Sequence, residues 1–166
     1  EALLTLGIKP HRPETGYGYI QTGKKVGKDF EAFRTVKTFT EKPNLELAKV
    51  FYESGEFYWN SGIFIWSLNA IDNAFRSHLP EVQELFEGQM DKILTPDEPK
   101  AIYDVYMACK SISIDYGVME KAQNVYVQMA NFGWSDLGTW TSLHEHAPKD
   151  GDNNGILSGQ VLLYNT

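Results

Sequence analysis

The sequence predicts an α/β domain in which a mixed or parallel sheet is flanked by helices. Three observations carry this. Runs of β-branched and aromatic residues at 17–22, 33–40, 61–67 and 124–129 alternate with segments at 45–52, 71–90 and 102–109 whose apolar residues recur at helical spacing. The 166 residues, 42% of them hydrophobic, suffice for one core of ordinary size. Glycines and polar residues cluster at the ends of the expected strands, where open α/β sheets collect ligands.

In chain order, residues 1–6 read as the last turn of a helix closed by Gly7, and the two prolines and glycine of 9–16 (K-P-H-R-P-E-T-G) make a loop. Strands at 17–22 and 33–40 form a long hairpin. Pro43 ends the second strand, Asn44 caps a helix carrying Leu45, Ala48, Phe51 and Tyr52, and Gly55 stops it. Glu41 and Lys42 then sit where a strand gives way to a helix. The apolar run 61–67 (S-G-I-F-I-W-S) reads as a strand buried on both faces, with Asn60 at its entrance.

Asn69 is the expected cap of a helix bearing Ile71, Ala74, Phe75, His78 and Leu79, and Val82, Leu85, Phe86 and Met90 continue the pattern after Pro80. Thr95-Pro96-Asp97-Glu98 starts the next helix, whose stripe of Ile102, Val105, Tyr106 and Cys109 makes Cys109 a core residue. A short strand is expected at 111–114. Asp115 would cap one or two helical turns to Ala122, a strand follows at 124–129, and a helix ends at His146. Residues 150–155 (D-G-D-N-N-G) are turn, and 156–164 read as the start of another β unit.

Fifteen Lys and Arg against 22 Asp and Glu give a net charge of −7, which argues against a general attraction to nucleic acid or an anionic membrane. Residues 1–50 nevertheless carry nine basic and six acidic side chains, and 51–166 six and 16. An anionic ligand would settle in the basic segment, although Lys24, Lys25 and Lys28 read equally well as a solvated loop. The single Cys109 excludes an internal disulfide, and no run reaches the roughly 20 apolar residues of a membrane span, so a reducing cytoplasm is expected. With neither an initiator methionine nor a leader, the chain reads as a piece of a longer one.

No G-x-S-x-G elbow, G-x-G-x-x-G fingerprint or P-loop is present, and His144 and His146 at i and i+2 cannot share a helix face as zinc ligands. Four clusters remain: Thr15 to Ile20 (T-G-Y-G-Y-I), Glu41-Lys42-Pro43, Trp59-Asn60-Ser61-Gly62 and Trp134-Ser135-Asp136-Leu137-Gly138. Each alone is weak. In order and spacing, I-K-P-H-R-P-E-T-G-Y-G-Y-I, F-T-E-K-P, G-E-F-Y-W-N-S-G-I-F-I-W, S-I-D-Y-G-V-M-E-K and F-G-W-S-D-L-G-T-W together resemble the sugar-nucleotide pyrophosphorylases, and among them the mannose-1-phosphate guanylyltransferases.

The resemblance implies a Rossmann-like nucleotidyltransferase sheet, of which residues 1–148 are the sugar-phosphate-binding half and 149–166 a linker and the start of a C-terminal β extension. It implies transfer of GMP from GTP to mannose 1-phosphate with Mg²⁺ as cofactor, in the cytoplasm, with no nucleic-acid or membrane partner and a homodimer among the assemblies it allows. The family's G-x-G-x-R-L loop, its lysine and its first metal-binding aspartate have no match in these residues, so this chain alone is expected to be inactive.

Residue by residue, the resemblance makes Asp136 the second Mg²⁺ aspartate, where chemistry alone would make it a helix cap. Lys42 matches the lysine that meets the sugar's phosphate and Glu41 the carboxylate that accepts from sugar hydroxyls; the plain reading is a surface ion pair. Asn60 can donate to and accept from a hydroxyl. Gly16, Gly18 and Gly62 would let backbone approach a sugar ring, or would simply form turns. Asp115 falls in the I-D-Y motif near the sugar, with a cap as its alternative. Trp59, Trp66, Trp134 and Trp140 are expected in the core. Rival readings are a uridylyl, adenylyl or thymidylyl transferase, a non-catalytic sugar-phosphate-binding subunit, and a plain interaction domain.

Overall fold

A computed structural model describes residues 1–28, 32–156 and 158–159. The chain divides into two compact units, residues 1–131 and 132–166. In the first, strands β1 (Leu3–Ile8), β2 (Tyr19–Lys25), β3 (Phe33–Thr40), β4 (Phe57–Trp66) and β5 (Val125–Ala130) form a mixed sheet, with helices α1 (Leu45–Ser54), α2 (Leu68–His78), α3 (Pro80–Glu87) and α4 (Glu98–Ala108). The strand order is β3-β2-β4-β1-β5; β1 and β5 are parallel and the other neighbours antiparallel, and the first three residues of β3 also pair with β5.

The α/β architecture is as the sequence predicts, and β2 shows why helices are needed on both sides. Tyr19 and Ile20 are adjacent, point to opposite faces, and are both fully buried. Ile20 joins Leu3, Phe39, Val125 and Val127 against Ala70 and Ala74 of α2 and Val118 and Met119. Tyr19 instead meets Phe51 of α1, whose ring stacks on Phe57 at 4.0 Å. Helix α1 begins where expected: the Asn44 side chain accepts from the Leu47 N–H, and Gly55 closes the helix at φ 70°.

Residues 3–8 are a strand, not a helix end. The run L-L-T-L-G-I has no polar alternation to mark it; its pairing with β4 and β5 decides its conformation. A Cβ on Gly7 would lie 2.7 Å from Val127 Cγ2, so only glycine lets β5 come this close. The expected strand at 61–67 is the second half of β4, and it is not buried on both faces: Ile63 and Ile65 are exposed. Asn60 consequently lies inside β4 rather than at its entrance.

Other boundaries move for local reasons. Ser67, not Asn69, caps α2, accepting from the Ala70 N–H. Helix α4 starts at Glu98 with no side-chain cap, Ala101 and Val105 are its buried residues, Tyr106 is exposed and Cys109 half-buried. Residues 111–114 form no strand. Residues Asp115–Met119 make a π-helical turn, closed by the Glu120 N–H on the Asp115 carbonyl at 2.9 Å, with Asp115 as its first residue rather than its cap.

The second unit contains α5 (Trp140–His146), capped by Thr139 and Ser142 in a reciprocal box, and a turn in which Asp150 accepts from the Asp152 and Asn154 N–H groups. Trp140, expected in the core, is instead exposed at the first position of α5. The β unit expected at 156–164 lies almost wholly outside the described residues.

Candidate functional site: a polar cluster on Asn60

Asn60 is a polar residue almost fully buried within a strand, so its amide must find partners. Its Oδ1 accepts from the Thr5 hydroxyl of β1 at 2.8 Å, and from the Gly62 N–H at 3.4 Å. Its Nδ2 donates to Asp115 Oδ1 at 3.0 Å, which ties β4 to the π-helical turn. Its backbone N–H donates to the Gly18 carbonyl at 2.8 Å. A Cβ on Gly18 would run into Glu41 Oε2 and lie 3.2 Å from Asn60 Cβ, so any larger residue there must displace the Glu41 carboxylate.

The same contacts bring Glu41 beside Asn60. The Glu41 side chain is largely enclosed, and its Oε1 lies 3.6 Å from Nζ of Lys42, whose side chain is 63% exposed. Burial pushes the Glu41 carboxyl above its ordinary value of 4.5; Asp115 and Glu120 push it the same way, and Lys42 opposes them. Lys42 itself adopts φ 47° at the β3–α1 junction, a left-handed conformation uncommon for a residue with a Cβ. Gly18, Glu41, Lys42, Asn60 and Asp115 thus share one neighbourhood that mixes acceptors, an amide donor and one exposed cation.

Gly16 stands apart, while Gly62 touches the cluster only through the long bond from its N–H to Asn60 Oδ1. The loop before β2 is built on Glu14, whose carboxylate accepts from the Thr15 and Gly16 N–H groups at 2.9 and 3.1 Å while its own N–H donates to the Tyr19 hydroxyl at 2.8 Å. A Cβ on Gly16 would make only ordinary contact. Gly62 takes φ 71° and faces open space, so it is backbone conformation that requires glycine there. Asp136 lies in the second unit, where its Oδ1 accepts from the Gly138 N–H at 2.9 Å; the α5 cap is Thr139, so the capping alternative for Asp136 does not hold.

Sequence reasoning missed Thr5, Glu120 and the setting of Trp59. Thr5 is fully buried, and its one signal is a hydroxyl inside an apolar run. Trp59 is core, as expected, but it also anchors the 9–18 loop: His11 and Tyr17 meet its ring edge-on at 4.8 and 5.1 Å, and the Arg12 guanidinium lies 5.7 Å from its centroid. A separate, largely apolar cavity of about 560 Å³ among α2, α3, α4 and residues 109–114 includes none of the predicted site residues. Among the described residues no three acidic, histidine or cysteine side chains converge to hold a metal, and no helix is long and apolar enough to cross a membrane.

The profile of the family described as "Nucleotidyl transferase" matches residues 1–153. The chain is 37% identical over 166 residues to a mannose-1-phosphate guanylyltransferase of Escherichia coli, covering 99% of this chain and 36% of that protein. It is 38% identical over 165 residues to another of that name from Sinorhizobium fredii, covering 99% and 31%. It thus spans about a third of the length of these relatives. Among solved structures, one titled mannose-1-phosphate geranyltransferase from Thermus thermophilus superimposes with a TM-score of 0.74 at 36% identity over 86% of this chain and 39% of that one. A mannose-6-phosphate isomerase from Helicobacter pylori gives 0.66 at 25% identity over 81% and 52%. On the extent of the family match, the chain belongs to the nucleotidyl transferase family.

Proposed function

We propose that the chain is the sugar-phosphate-binding half of an enzyme that transfers GMP from GTP to mannose 1-phosphate, giving GDP-mannose and pyrophosphate. The observation that carries the reading is the convergence of Glu41, Lys42, Asn60 and Asp115 around Gly18, in a family whose relatives carry names for chemistry on mannose 1-phosphate. Their chemistry matches a sugar phosphate: carboxylates accept from hydroxyls, the amide donates to one, and the exposed Lys42 ammonium meets the phosphate as a point charge.

Binding here orients the phosphate oxygen that attacks the α-phosphorus of the nucleotide in line, while pyrophosphate leaves. Asp136, whose carboxylate accepts from the Gly138 N–H, would offer Mg²⁺ a hard oxygen ligand of the kind that ion prefers. When bound, Mg²⁺ offsets phosphate charge.

Calorimetric titration with mannose 1-phosphate, glucose 1-phosphate and GTP tests the reading. Selective binding of mannose 1-phosphate supports it. Preference for glucose 1-phosphate would move the assignment to another sugar nucleotidyltransferase, and binding of no sugar phosphate would overturn it.

A further inference from the structure

We propose that Thr5 is a positioning residue for sugar recognition, setting the Asn60 amide so that one of its two N–H protons is aimed at the ligand; the functional part of this rests on the reading above. Asn60 Nδ2 carries two protons, and one is committed to Asp115 Oδ1 at 3.0 Å. The other has no acceptor among the described residues. Oδ1, on the opposite side, is satisfied by the Thr5 hydroxyl at 2.8 Å and more weakly by the Gly62 N–H at 3.4 Å.

The Thr5 hydroxyl has a single proton and two acceptors within reach, Asn60 Oδ1 at 2.8 Å and the Ile63 carbonyl at 3.2 Å. The shorter bond goes to Asn60. Thr5 is fully buried on β1, between β4 and β5, so no water replaces its proton and its own β-branched χ1 is held by the sheet. Without that proton the amide loses its one short anchor on the Oδ1 side and is held by Asp115 and the longer Gly62 bond alone, which loosens the aim of the free N–H. Thr5 touches no ligand; it acts through Asn60.

The test measures the Asn60 side-chain amide and sugar-phosphate affinity together. The Asn60 NH₂ pair, assigned in ¹⁵N-correlated spectra by its loss in Asn60→Ala, is expected as two sharp, slowly exchanging signals in the wild type and in Thr5→Ser, and as broadened, fast-exchanging signals in Thr5→Val. Thr5→Ala gives the same answer if the valine variant does not fold. Affinity for mannose 1-phosphate should fall about tenfold in Thr5→Val, the worth of one hydrogen bond, and recover to within about twofold in Thr5→Ser. In an Asn60→Ala background Thr5→Val should cost nothing further. An unchanged amide signal in Thr5→Val, or an equal affinity loss with and without Asn60, would overturn the proposal. A wild type that shows the sharp amide pair but binds no sugar phosphate would overturn the functional reading, and the amide signals of the variants would still decide whether Thr5 sets Asn60.

Discussion

Asn60 and Asp115, 55 residues apart in the chain, are joined by a 3.0 Å hydrogen bond from amide to carboxylate. That bond fixes the strand that carries the W-N-S-G motif to the π-helical turn that carries I-D-Y. It keeps a buried amide and a carboxylate in register beside Glu41. The π turn opens at Asp115, and Gly117 allows it to sit against Leu79, since a Cβ there would lie 2.8 Å from Leu79 Cδ1.

Asp115→Asn keeps the shape and removes a negative charge. Because Asp115 is the second cause, after burial, of the raised Glu41 value, the Glu41 carboxyl should then titrate at lower pH than in the wild type. Carboxyl ¹³C shifts followed through a pH titration give the comparison; an unmoved midpoint would mean that Asp115 does not act on Glu41.

Glu41→Gln should stabilise the fold at neutral pH while weakening sugar-phosphate binding. A carboxyl whose value is raised on folding contributes stability that is fully present below the unfolded value of 4.5 and is lost as pH rises through the folded value. Ionised Glu41 is therefore a cost to the fold at pH 7.5, accepted where function needs an acceptor. Thermal melts should show the variant above the wild type at pH 7.5 and the gap closing towards about pH 4. A gap that persists or widens in acid would contradict the assignment.

These features were unequally legible in the sequence. Asn44, Gly55 and the spacing of Ala48 and Phe51 announce α1 because caps and periodicity are local. The strand at residues 3–8 is not local: Leu3 and Thr5 turn inward, Leu4 and Leu6 are half-buried, and parallel pairing with β5, more than 100 residues on, decides the matter. For the same reason Thr5 could not be connected to Asn60 beforehand. Asp115 illustrates a subtler loss, since an aspartate opening a helical turn looks like a cap until the facing strand is known to present an amide.

Lys42 should separate binding from stability. Its side chain is mostly exposed and its ion pair with Glu41 is long, so Lys42→Ala should change stability by less than about 0.5 kcal/mol. Loss of the point charge should weaken mannose 1-phosphate binding about tenfold or more. The contrast with free mannose is the control: affinity for a sugar without phosphate should not change, and an equal loss for both would place Lys42 away from the phosphate.

Gly18→Ala and Gly62→Ala should fail in different ways. At Gly18 the new methyl would strike Glu41 Oε2 and Asn60, so sugar-phosphate affinity should drop sharply. At Gly62 the space is open but φ is 71°, so the expected effect is a stability loss of about 1 kcal/mol, read by denaturant titration. The reverse pattern would show that the site is not built around Gly18.

The most direct test of the central claim, that Gly18, Glu41, Asn60 and Asp115 form one sugar-phosphate site, is backbone amide chemical-shift mapping during titration with mannose 1-phosphate. The account predicts saturable shifts centred on Gly18, Lys42, Asn60 and Asp115 that vanish in Asn60→Ala. Shifts confined to the apolar cavity lined by Phe75, Val82 and Ile112, or shifts that survive Asn60→Ala unchanged, would contradict it.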